Sequence, residues 1–312
     1  VWAFATGINR LVYHTFQHQL LDSSLKPGMT MGPYGVHWNR SQTWWPMVDA
    51  YHRYIARCQY LLQKGRTVAD ILYLSPEGAP HVFRAPASAM TGDDAVLPDR
   101  KGFNFDGCAP TQLYKAAVQD GKIIFPGGAV YRVLVLPSTD VMTPELLGKI
   151  VDLVKGGATV IGGPPLRSPS LSGYPGCDAR VSALVEECWG GIVAPGRRLV
   201  RRFGKGRVIW GGDVVGNDNL YPEYRVTEEV LHSMGLKEDF STVGPLRYTH
   251  RTGAGWDAYF IANKRDGEVH TEVSFRVGSG TPELWDAVTG RRQVLPEYTV
   301  RDGRTIVPML PA

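Results

Sequence analysis

Three patterns of hydrophobic and polar positions follow one another along the chain: one before residue 67, one between residues 67 and 245, and one from residue 247 onward. Between residues 67 and 245, apolar runs alternate with stretches of helical pattern; the runs span 68–74, 102–106, 130–136, 158–161 and 206–210. Apolar runs separated by helices predict a parallel, doubly wound α/β sheet. From residue 247 onward, apolar and polar positions alternate with a period of two between tight turns, which predicts antiparallel strands.

Local signals predict several individual elements. The Thr-Pro-Glu triplet at 143–145 predicts the start of a helix, because threonine can cap it, proline suits its first turn and an acid suits its positive end. A short helix is predicted over 111–119. Strands 256–263 and 269–277 are predicted to form a hairpin across a Lys-Arg-Asp-Gly turn, and 282–290 adds a further strand and turn.

The N-terminal region carries a different pattern. Residues 11–16 are rich in aromatic and β-branched side chains and predict a strand, and residues 46–63 predict a helix. Side chains alternate along a strand, so His14 and His18 would share one face. They would lie roughly 13 Å apart, at about 3.3 Å per residue, which is too far to bind one metal ion together. Two walls of a polar pocket therefore fit better than a zinc pair.

The loop between this strand and this helix is dense in imidazole, amide, guanidinium and indole groups. Beyond His14 at the end of the strand, the residues are Gln17, His18, Gln19, Asn39, Arg40, Trp44 and Trp45. A strand followed by such a loop and a helix is typical of the active face of a β/α barrel. A sugar ring offers apolar C–H faces and hydroxyl edges, which aromatic rings and amide or imidazole groups can bind. The alternative interpretation is a core histidine accompanied by structural aromatic residues.

Four stretches of the chain carry a family resemblance. They are 7–19 (GINRLVYHTFQHQ), 27–33 (PGMTMGP), 37–45 (HWNRSQTWW) and 54–73 (YIARCQYLLQKGRTVADILY). These stretches resemble the α-L-rhamnosidases of glycoside hydrolase family 106, over about the first quarter of the chain. The remainder resembles the accessory domains of such enzymes in general pattern only.

The resemblance implies a domain order and a mechanism. Residues 1–66 would be the C-terminal part of a (β/α)8 glycosidase barrel, namely its last strand and helix. Residues 67–245 would be a glutaminase-like (flavodoxin-like) parallel α/β accessory domain, and 246–312 the start of a β-sandwich. The chain opens at Val1 and is expected to be a C-terminal fragment. Its parent would be an inverting α-L-rhamnosidase of rhamnose-containing glycans or glycosides, with two glutamates on earlier barrel strands and a calcium ion at the sugar.

Carboxylates are scarce in the barrel-like region. Residues 1–66 contain no glutamate, and their only acidic residues are Asp22 and Asp49. Most glycosidases use two carboxyl groups that flank the scissile bond. The catalytic pair is therefore expected outside this chain, and the chain alone is expected to be inactive. Calcium prefers clustered oxygen ligands, so a calcium ion would depend mainly on residues elsewhere.

The assignment within the chain is to sugar binding. The predicted substrate-binding residues are His14, Gln17, His18, Asn39, Arg40, Trp44 and Trp45. The imidazoles and Gln17 would contact sugar hydroxyls, the indoles would stack on the ring or pack the site wall, and Asn39 and Arg40 would orient the loop. Two alternatives stay open: a non-catalytic carbohydrate-binding or scaffold module, and a β-galactosidase-like hydrolase of similar architecture.

Composition and charge argue against several other classes. The chain has 312 residues with 34 basic and 30 acidic side chains, a net charge of +4, so nucleic acid is not an expected partner. No apolar run reaches transmembrane length, so no membrane partner is expected. The four cysteines lack C-x-x-C spacing, which argues against zinc. The oligomeric state and the compartment stay open, and the sequence is compatible with a secreted or periplasmic parent protein.

Two further sets of residues are expected to be structural. Glu77, Asn104 and Asp106 follow predicted strands and are expected to face solvent or cap helices. The basic residues of one short stretch are expected to form a solvated face; they are Arg197, Arg198, Arg201, Arg202, Lys205 and Arg207. Cys108 and Cys177 lie outside any Gly-x-Cys-x-Gly elbow, so glutaminase chemistry is not expected.

Overall fold

The structure is a computed structural model that describes residues 1–79, 81–90, 100–192, 196–216 and 220–311. The loop predicted to run up to about residue 101 lies partly outside these ranges. Contacts divide the chain into two compact units. We call Val1–Gly65 with Thr242–Ala312 the terminal unit, and Arg66–Ser241 the central unit.

The two units contain six α-helices and eighteen strands among the described residues. The helices are α1 (Trp2–Ala5), α2 (Val48–Leu62), α3 (Pro110–Leu113), α4 (Pro144–Gly156), α5 (Cys177–Trp189) and α6 (Tyr224–Ser233), with 3-10 turns at Trp45–Met47 and Ala87–Ala89. The strands are β1 (Arg66–Thr67), β2 (Ile71–Leu74), β3 (Phe105–Cys108), β4 (Ala117–Gln119), β5 (Lys122–Ile124), β6 (Val130–Tyr131), β7 (Val133–Val135), β8 (Thr159–Ile161), β9 (Leu199–Phe203), β10 (Gly206–Trp210), β11 (Phe240–Thr242), β12 (Leu246–Gly253), β13 (Trp256–Asn263), β14 (His270–Phe275), β15 (Glu283–Trp285), β16 (Arg292–Val294), β17 (Thr299–Arg301) and β18 (Arg304–Pro311).

A six-stranded sheet is the frame of the central unit. Its strand order is β3-β2-β7-β8-β10-β9. The first five of these strands run parallel, and β9 is an antiparallel edge strand. The parallel sheet predicted from the alternation of apolar runs and helices is confirmed.

Both faces of this sheet are covered by helices. On β2, Leu72 and Leu74 belong to the apolar core that includes α4 and α5 residues. Ile71 and Tyr73, on the opposite face, belong to the core that includes α6 residues. A strand that is buried on both faces reads as a continuous apolar run. This three-layer packing explains why the sheet strands could be recognised in the sequence.

Helix α4 begins where the sequence predicts. The hydroxyl of Thr143 accepts a hydrogen bond from Leu146 N at 3.3 Å, and the helix ends at Gly157, whose φ is +124°. Glu77 supports this cap, because its carboxylate accepts hydrogen bonds from Thr143 N and from Thr143 Oγ1, each at 2.7 Å. The capping role expected for Glu77 is confirmed.

The helix predicted over 111–119 is wrong beyond Leu113. Helix α3 ends there, and residues 117–119 instead form β4, which pairs with β5 in an antiparallel hairpin. The two strands are joined by Asp120 and Gly121, both with positive φ (49° and 72°). An Asp-Gly pair is a strong signal for a two-residue hairpin turn. The Asp-Gly turn therefore favours a hairpin over residues 117–124, although the preceding residues have a helical pattern.

One arginine of the basic stretch around β9 is paired with acidic residues. Arg198 lies 2.6 Å from Asp213 and 2.8 Å from Glu229, and Arg225 lies 3.0 Å from Asp213. Hydrogen bonds from Arg198 and Arg225 lower the pKa values of Asp213 and Glu229. These pairs form a partly exposed charge network, in agreement with the predicted solvated face.

In the terminal unit, helix α2 carries the apolar contacts. It follows the 3-10 turn at Trp45–Met47, so the helix predicted over 46–63 is confirmed. Ile55, Cys58 and Leu62 line one face of the helix and pack with Phe4 in a buried cluster. Phe4 also meets Phe260 of β13 edge-on at 5.7 Å.

The strands of the terminal unit are antiparallel, but one predicted pairing is wrong. Strand β13 pairs with β12, not with β14, and β14 pairs with β18. Only Ala254 and Gly255 join β12 to β13, with Gly255 at φ +77°. A two-residue connection favours a hairpin over the longer Lys-Arg-Asp-Gly segment. The strand and turn predicted over 282–290 are confirmed by β15, which pairs with β16.

The boundaries between the two units fall at Gly65/Arg66 and at Ser241/Thr242. The barrel, glutaminase-like and β-sandwich assignments for the three segments stay predictions. Among the described residues, no helix is both long and apolar enough to cross a membrane.

Replacing Thr143 by alanine tests the cap of α4. The variant loses the hydroxyl that accepts from Leu146 N and donates to Glu77. We expect the free energy of unfolding to fall by about 1 kcal/mol, measured by urea unfolding and circular dichroism. Thr143→Ser keeps the hydroxyl and should lie close to the wild type. Equal losses in both variants would contradict the capping role.

Candidate functional site

The strand predicted over 11–16 is wrong: residues 8–44 contain neither helix nor regular strand. The start of this segment is instead attached to α2 by side chains. Leu11 N donates to Gln59 Oε1 at 2.8 Å, and Gln63 Nε2 donates to the carbonyl of Asn9 at 2.9 Å. An apolar, β-branched run forms a strand only when a neighbouring strand pairs with it. Here the side chains of Gln59 and Gln63 form hydrogen bonds with the backbone amide of Leu11 and the backbone carbonyl of Asn9.

A short backbone pairing brings the two ends of the polar loop together. Thr15 N donates to the carbonyl of Val36 at 2.9 Å, and Val36 N donates to the carbonyl of His14 at 2.8 Å. Trp38 N donates to the carbonyl of Thr15 at 2.9 Å. These bonds place Trp38 beside Thr15, which lies between His14 and His18 in the sequence.

Gln19 holds the turn of the loop. Its amide donates to the carbonyl of Met29 at 2.9 Å, and its oxygen accepts from Met29 N at 2.8 Å. A Cβ at Gly28, where φ is +83°, would lie 2.2 Å from that oxygen, so the close approach needs glycine. Gln19 therefore has a structural contact within the loop.

The imidazoles predicted to bind sugar are accessible. His14 and His18 are exposed, and Gln17 is half-buried. Val12 and Phe16 are 87% and 77% exposed, so the face they would share with the histidines does not belong to the core. Within this chain, His14 is not part of a buried core.

Asn39 and Arg40 have different environments. Asn39 is buried, and its Oδ1 accepts a hydrogen bond from Ser41 N at 2.8 Å, which closes a local turn. Arg40 is exposed. Their assignment to the substrate-binding set stays a prediction.

An aromatic cluster lies where the loop meets α2. Trp38 is its centre, with ring centroids 4.2 Å from Tyr13, 5.1 Å from Trp44, 5.5 Å from Tyr51 and 5.3 Å from His52. We call these five residues the Trp38 cluster. Trp45 adjoins it, 6.2 Å from the ring of Trp44. Tyr13 and Tyr51 are exposed, and the other rings are half-buried.

The sequence analysis missed Tyr13, Trp38, Tyr51 and His52. Tyr51 and His52 lie in the first turns of α2, close in sequence to the predicted Trp44 and Trp45. Aromatic density across the loop–helix junction could have indicated them. The position of Tyr13 depended on the backbone pairing of 14–15 with 36–38, which the sequence pattern did not predict.

The phenol of Tyr13 is neutral at neutral pH, and its surroundings further favour that form. Burial raises the pKa of its phenol, and the neighbouring Tyr51 raises it further. A neutral ring can offer an apolar face together with a hydroxyl donor. Such a face suits the C–H surface of a sugar ring.

The strand ends of the central unit are occupied by structural contacts. Asp106 accepts a hydrogen bond from Tyr131 Oη at 2.9 Å, and Asn104 is buried, with its amide donating to the carbonyl of Val68. A cleft of about 630 Å³ opens near Glu77, but both oxygens of that carboxylate already bind Thr143. Burial raises the pKa of the Cys108 thiol to about 11, which disfavours the nucleophilic thiolate.

Known families, proteins and solved structures resemble this chain over most of its length. Residues 2–300 match the family model of glycoside hydrolase family 106, described as alpha-L-rhamnosidase. A protein of Formosa agariphila, named "Putative beta-glucuronidase", is 34% identical over 310 residues, which cover 98% of this chain and 24% of that protein. The structure of a rhamnosidase from Novosphingobium sp. PP1Y matches with a TM-score of 0.78 and 32% identity, over 99% of this chain and 27% of that one.

This chain therefore spans about a quarter of the length of these two relatives. A beta-galactosidase from Bacillus circulans sp. alkalophilus also aligns, but its TM-score of 0.47 and identity of 11% are too low to support an inference. The match to the family model covers nearly the whole chain, including both compact units. This chain belongs to glycoside hydrolase family 106, the alpha-L-rhamnosidase family.

Proposed function

We propose that this chain is part of an inverting α-L-rhamnosidase and that it supplies sugar contacts, while the catalytic carboxylates lie outside it. The family match over residues 2–300 carries the proposal. It is supported by accessible imidazoles at His14 and His18 and by the aromatic rings at the junction of the loop with α2.

The proposed contacts follow from the chemistry of a deoxysugar. L-Rhamnose has hydroxyl groups on one part of its ring and a methyl group at C6, so it needs both polar and apolar partners. His14, Gln17 and His18 can donate to or accept from hydroxyls. Trp44 and Trp45 offer flat apolar faces to the ring or to the methyl group. Asn39 holds the turn from which Arg40 extends.

Neither acid in residues 1–66 suits proton transfer to a leaving group. Asp22 accepts hydrogen bonds from Ser24 Oγ at 2.6 Å and from Ser24 N at 2.9 Å, and these bonds lower the pKa of its carboxyl. A general acid in a glycosidase needs a raised pKa. Asp49 forms an exposed pair with Arg53 at 2.8 Å. A catalytic pair outside this chain is therefore the better account.

The oxygen ligands in this region do not fit a calcium centre of their own. Asp22 binds Ser24 and Asp49 binds Arg53, and residues 1–66 contain no other carboxylate. Calcium takes six to eight oxygen ligands as a rule. A calcium ion at the sugar would therefore depend mainly on ligands outside this chain.

A second candidate is a hydrolase of β-glucuronides. The name of the Formosa agariphila relative favours it, and the exposed guanidinium of Arg40 could pair with a sugar carboxylate. A glucuronide therefore belongs in every substrate panel beside the rhamnoside.

Ser24→Ala tests whether hydrogen bonds from Ser24 lower the pKa of the Asp22 carboxyl. The variant loses the strongest hydrogen bond that favours the charged carboxylate, so we expect the pKa of Asp22 to rise toward its ordinary value. Carboxyl chemical shifts followed by NMR across a pH titration measure this. Ser24→Thr retains a hydroxyl and should keep the lowered pKa. A pKa of Asp22 that already lies above the ordinary value in the wild type would reopen its candidacy as a general acid.

Trp44→Ala tests the proposed ring stacking. One lost stacking contact is worth about 1 kcal/mol, so the affinity for L-rhamnose should fall about fivefold, measured by NMR or calorimetric titration. His14→Ala should also weaken binding. The matched control is Trp285→Ala, because Trp285 is an exposed indole that packs against Arg292 in the β15–β16 hairpin. If the control and Trp44→Ala behave alike, the contact assignment is wrong.

Turnover of a nitrophenyl α-L-rhamnoside tests the placement of the carboxylates. We expect no turnover by the 312-residue chain and turnover by a longer polypeptide that includes the preceding part of the protein. Activity of the short chain would refute the proposal that the acids lie elsewhere. Inactivity of the long form toward the rhamnoside and the glucuronide would favour a non-catalytic carbohydrate-binding module.

A further inference from the structure

Three potential metal ligands converge at the C-terminal end of α6, in the central unit. They are Glu228, His232 and Glu238, and one ligand atom from each lies within 4.8 Å of the others. Glu228 and His232 are one helical turn apart, so they project from the same face of α6. The chain then reverses at Gly235, where φ is +77°, and returns Glu238 to that face.

The imidazole of His232 is held in a defined orientation. Its Nδ1 lies 3.1 Å from the carbonyl oxygen of Leu236, and its ring meets Phe103 edge-on at 5.4 Å. A backbone carbonyl on one ring nitrogen is the usual support of a metal-binding histidine, because it fixes the tautomer. With the proton on Nδ1, the lone pair of Nε2 points toward the carboxylates.

The short distance between Nε2 and Glu238 then requires a second proton or a metal ion between the two atoms. Nε2 lies 3.2 Å from Glu238 Oε1. If Nδ1 donates to Leu236, two lone pairs face each other across this distance unless a second proton or a metal ion lies between them. The side chains of His232 and Glu238 are 45% and 34% exposed, so an ion could enter from solvent.

The backbone at Gly102 closes the other side of the cluster. A Cβ there would lie 3.2 Å from Glu238 Cγ and 3.4 Å from Glu228 Oε1, on a backbone with φ +36°. It would also lie 2.9 Å from the hydroxyl of Tyr224. A residue without a side chain therefore lets the loop approach both carboxylates closely.

We propose that Glu228, His232 and Glu238 form a binding site for a divalent transition metal such as Zn²⁺, which fastens the segment after α6 to the end of that helix. One imidazole nitrogen with two carboxylate oxygens is a ligand set that suits Zn²⁺, whereas Ca²⁺ prefers oxygen alone. The site leaves positions for water. It lies in the central unit and does not depend on the sugar contacts proposed for residues 14–45.

Calorimetric titration of the chelator-treated 312-residue chain with ZnCl₂ tests the proposal. We expect one saturable equivalent per chain and an increase in Tm with added Zn²⁺. His232→Ala should weaken the affinity at least about tenfold and abolish the Tm increase. Glu238→Gln and Glu228→Gln, which keep the side-chain shape, should also weaken binding. His270→Ala is the matched control, because His270 is a half-exposed histidine 3.9 Å from Glu268.

Three results would overturn the proposal. The first is an absence of saturable Zn²⁺ binding, which would mean that a proton alone bridges His232 and Glu238. The second is equal weakening in the His270 variant, which would indicate non-specific binding at surface histidines. The third is binding of Ca²⁺ as tight as that of Zn²⁺, which would contradict a role for the imidazole. Circular dichroism of each variant verifies that the fold is retained.

Discussion

The attachment of residues 4–11 to helix α2 is the interaction on which the candidate sugar site depends. Gln59 accepts the amide of Leu11, and Gln63 donates to the carbonyl of Asn9, while Phe4 fills the apolar cluster beneath them. These contacts fix the direction in which the chain leaves α2. Because Tyr13 and His14 follow at once, their position relative to the aromatic residues of α2 is set by this attachment. A polar loop without such an anchor could not hold its side chains ready for a ligand.

The C-terminal strands strengthen the same helix. Arg57 donates to the carbonyls of Ala287 and Val288, and Arg251 donates to the carbonyls of Lys64 and Gly65 just after α2. Guanidinium groups therefore satisfy carbonyls contributed by segments far apart in sequence. This explains why residues 1–65 and 242–312 form one compact unit although 176 residues separate them.

The central unit derives its stability from a different source. Its sheet is buried on both faces, by α4 and α5 on one side and by α6 on the other. Polar side chains at the strand ends mostly serve this packing: Glu77 supports the N-cap Thr143 of α4, and Asp106 accepts a hydrogen bond from the buried phenol of Tyr131. The cluster at the end of α6 differs, because it brings one potential ligand atom from each of two carboxylates and one imidazole within 4.8 Å of one another.

The sequence by itself determined the parallel sheet, the helix after Trp45 and the capped start of α4, because each is encoded by local period or by cap chemistry. It also indicated the family, through short motifs around His14 and Trp44. Tertiary structure alone decided the pairing of β13 with β12, the irregular course of residues 8–44 and the assembly of the Trp38 cluster. The physical reason is that strands and aromatic rings acquire their partners from distant residues. Local periodicity records which face is apolar, but it does not record which neighbour will cover it.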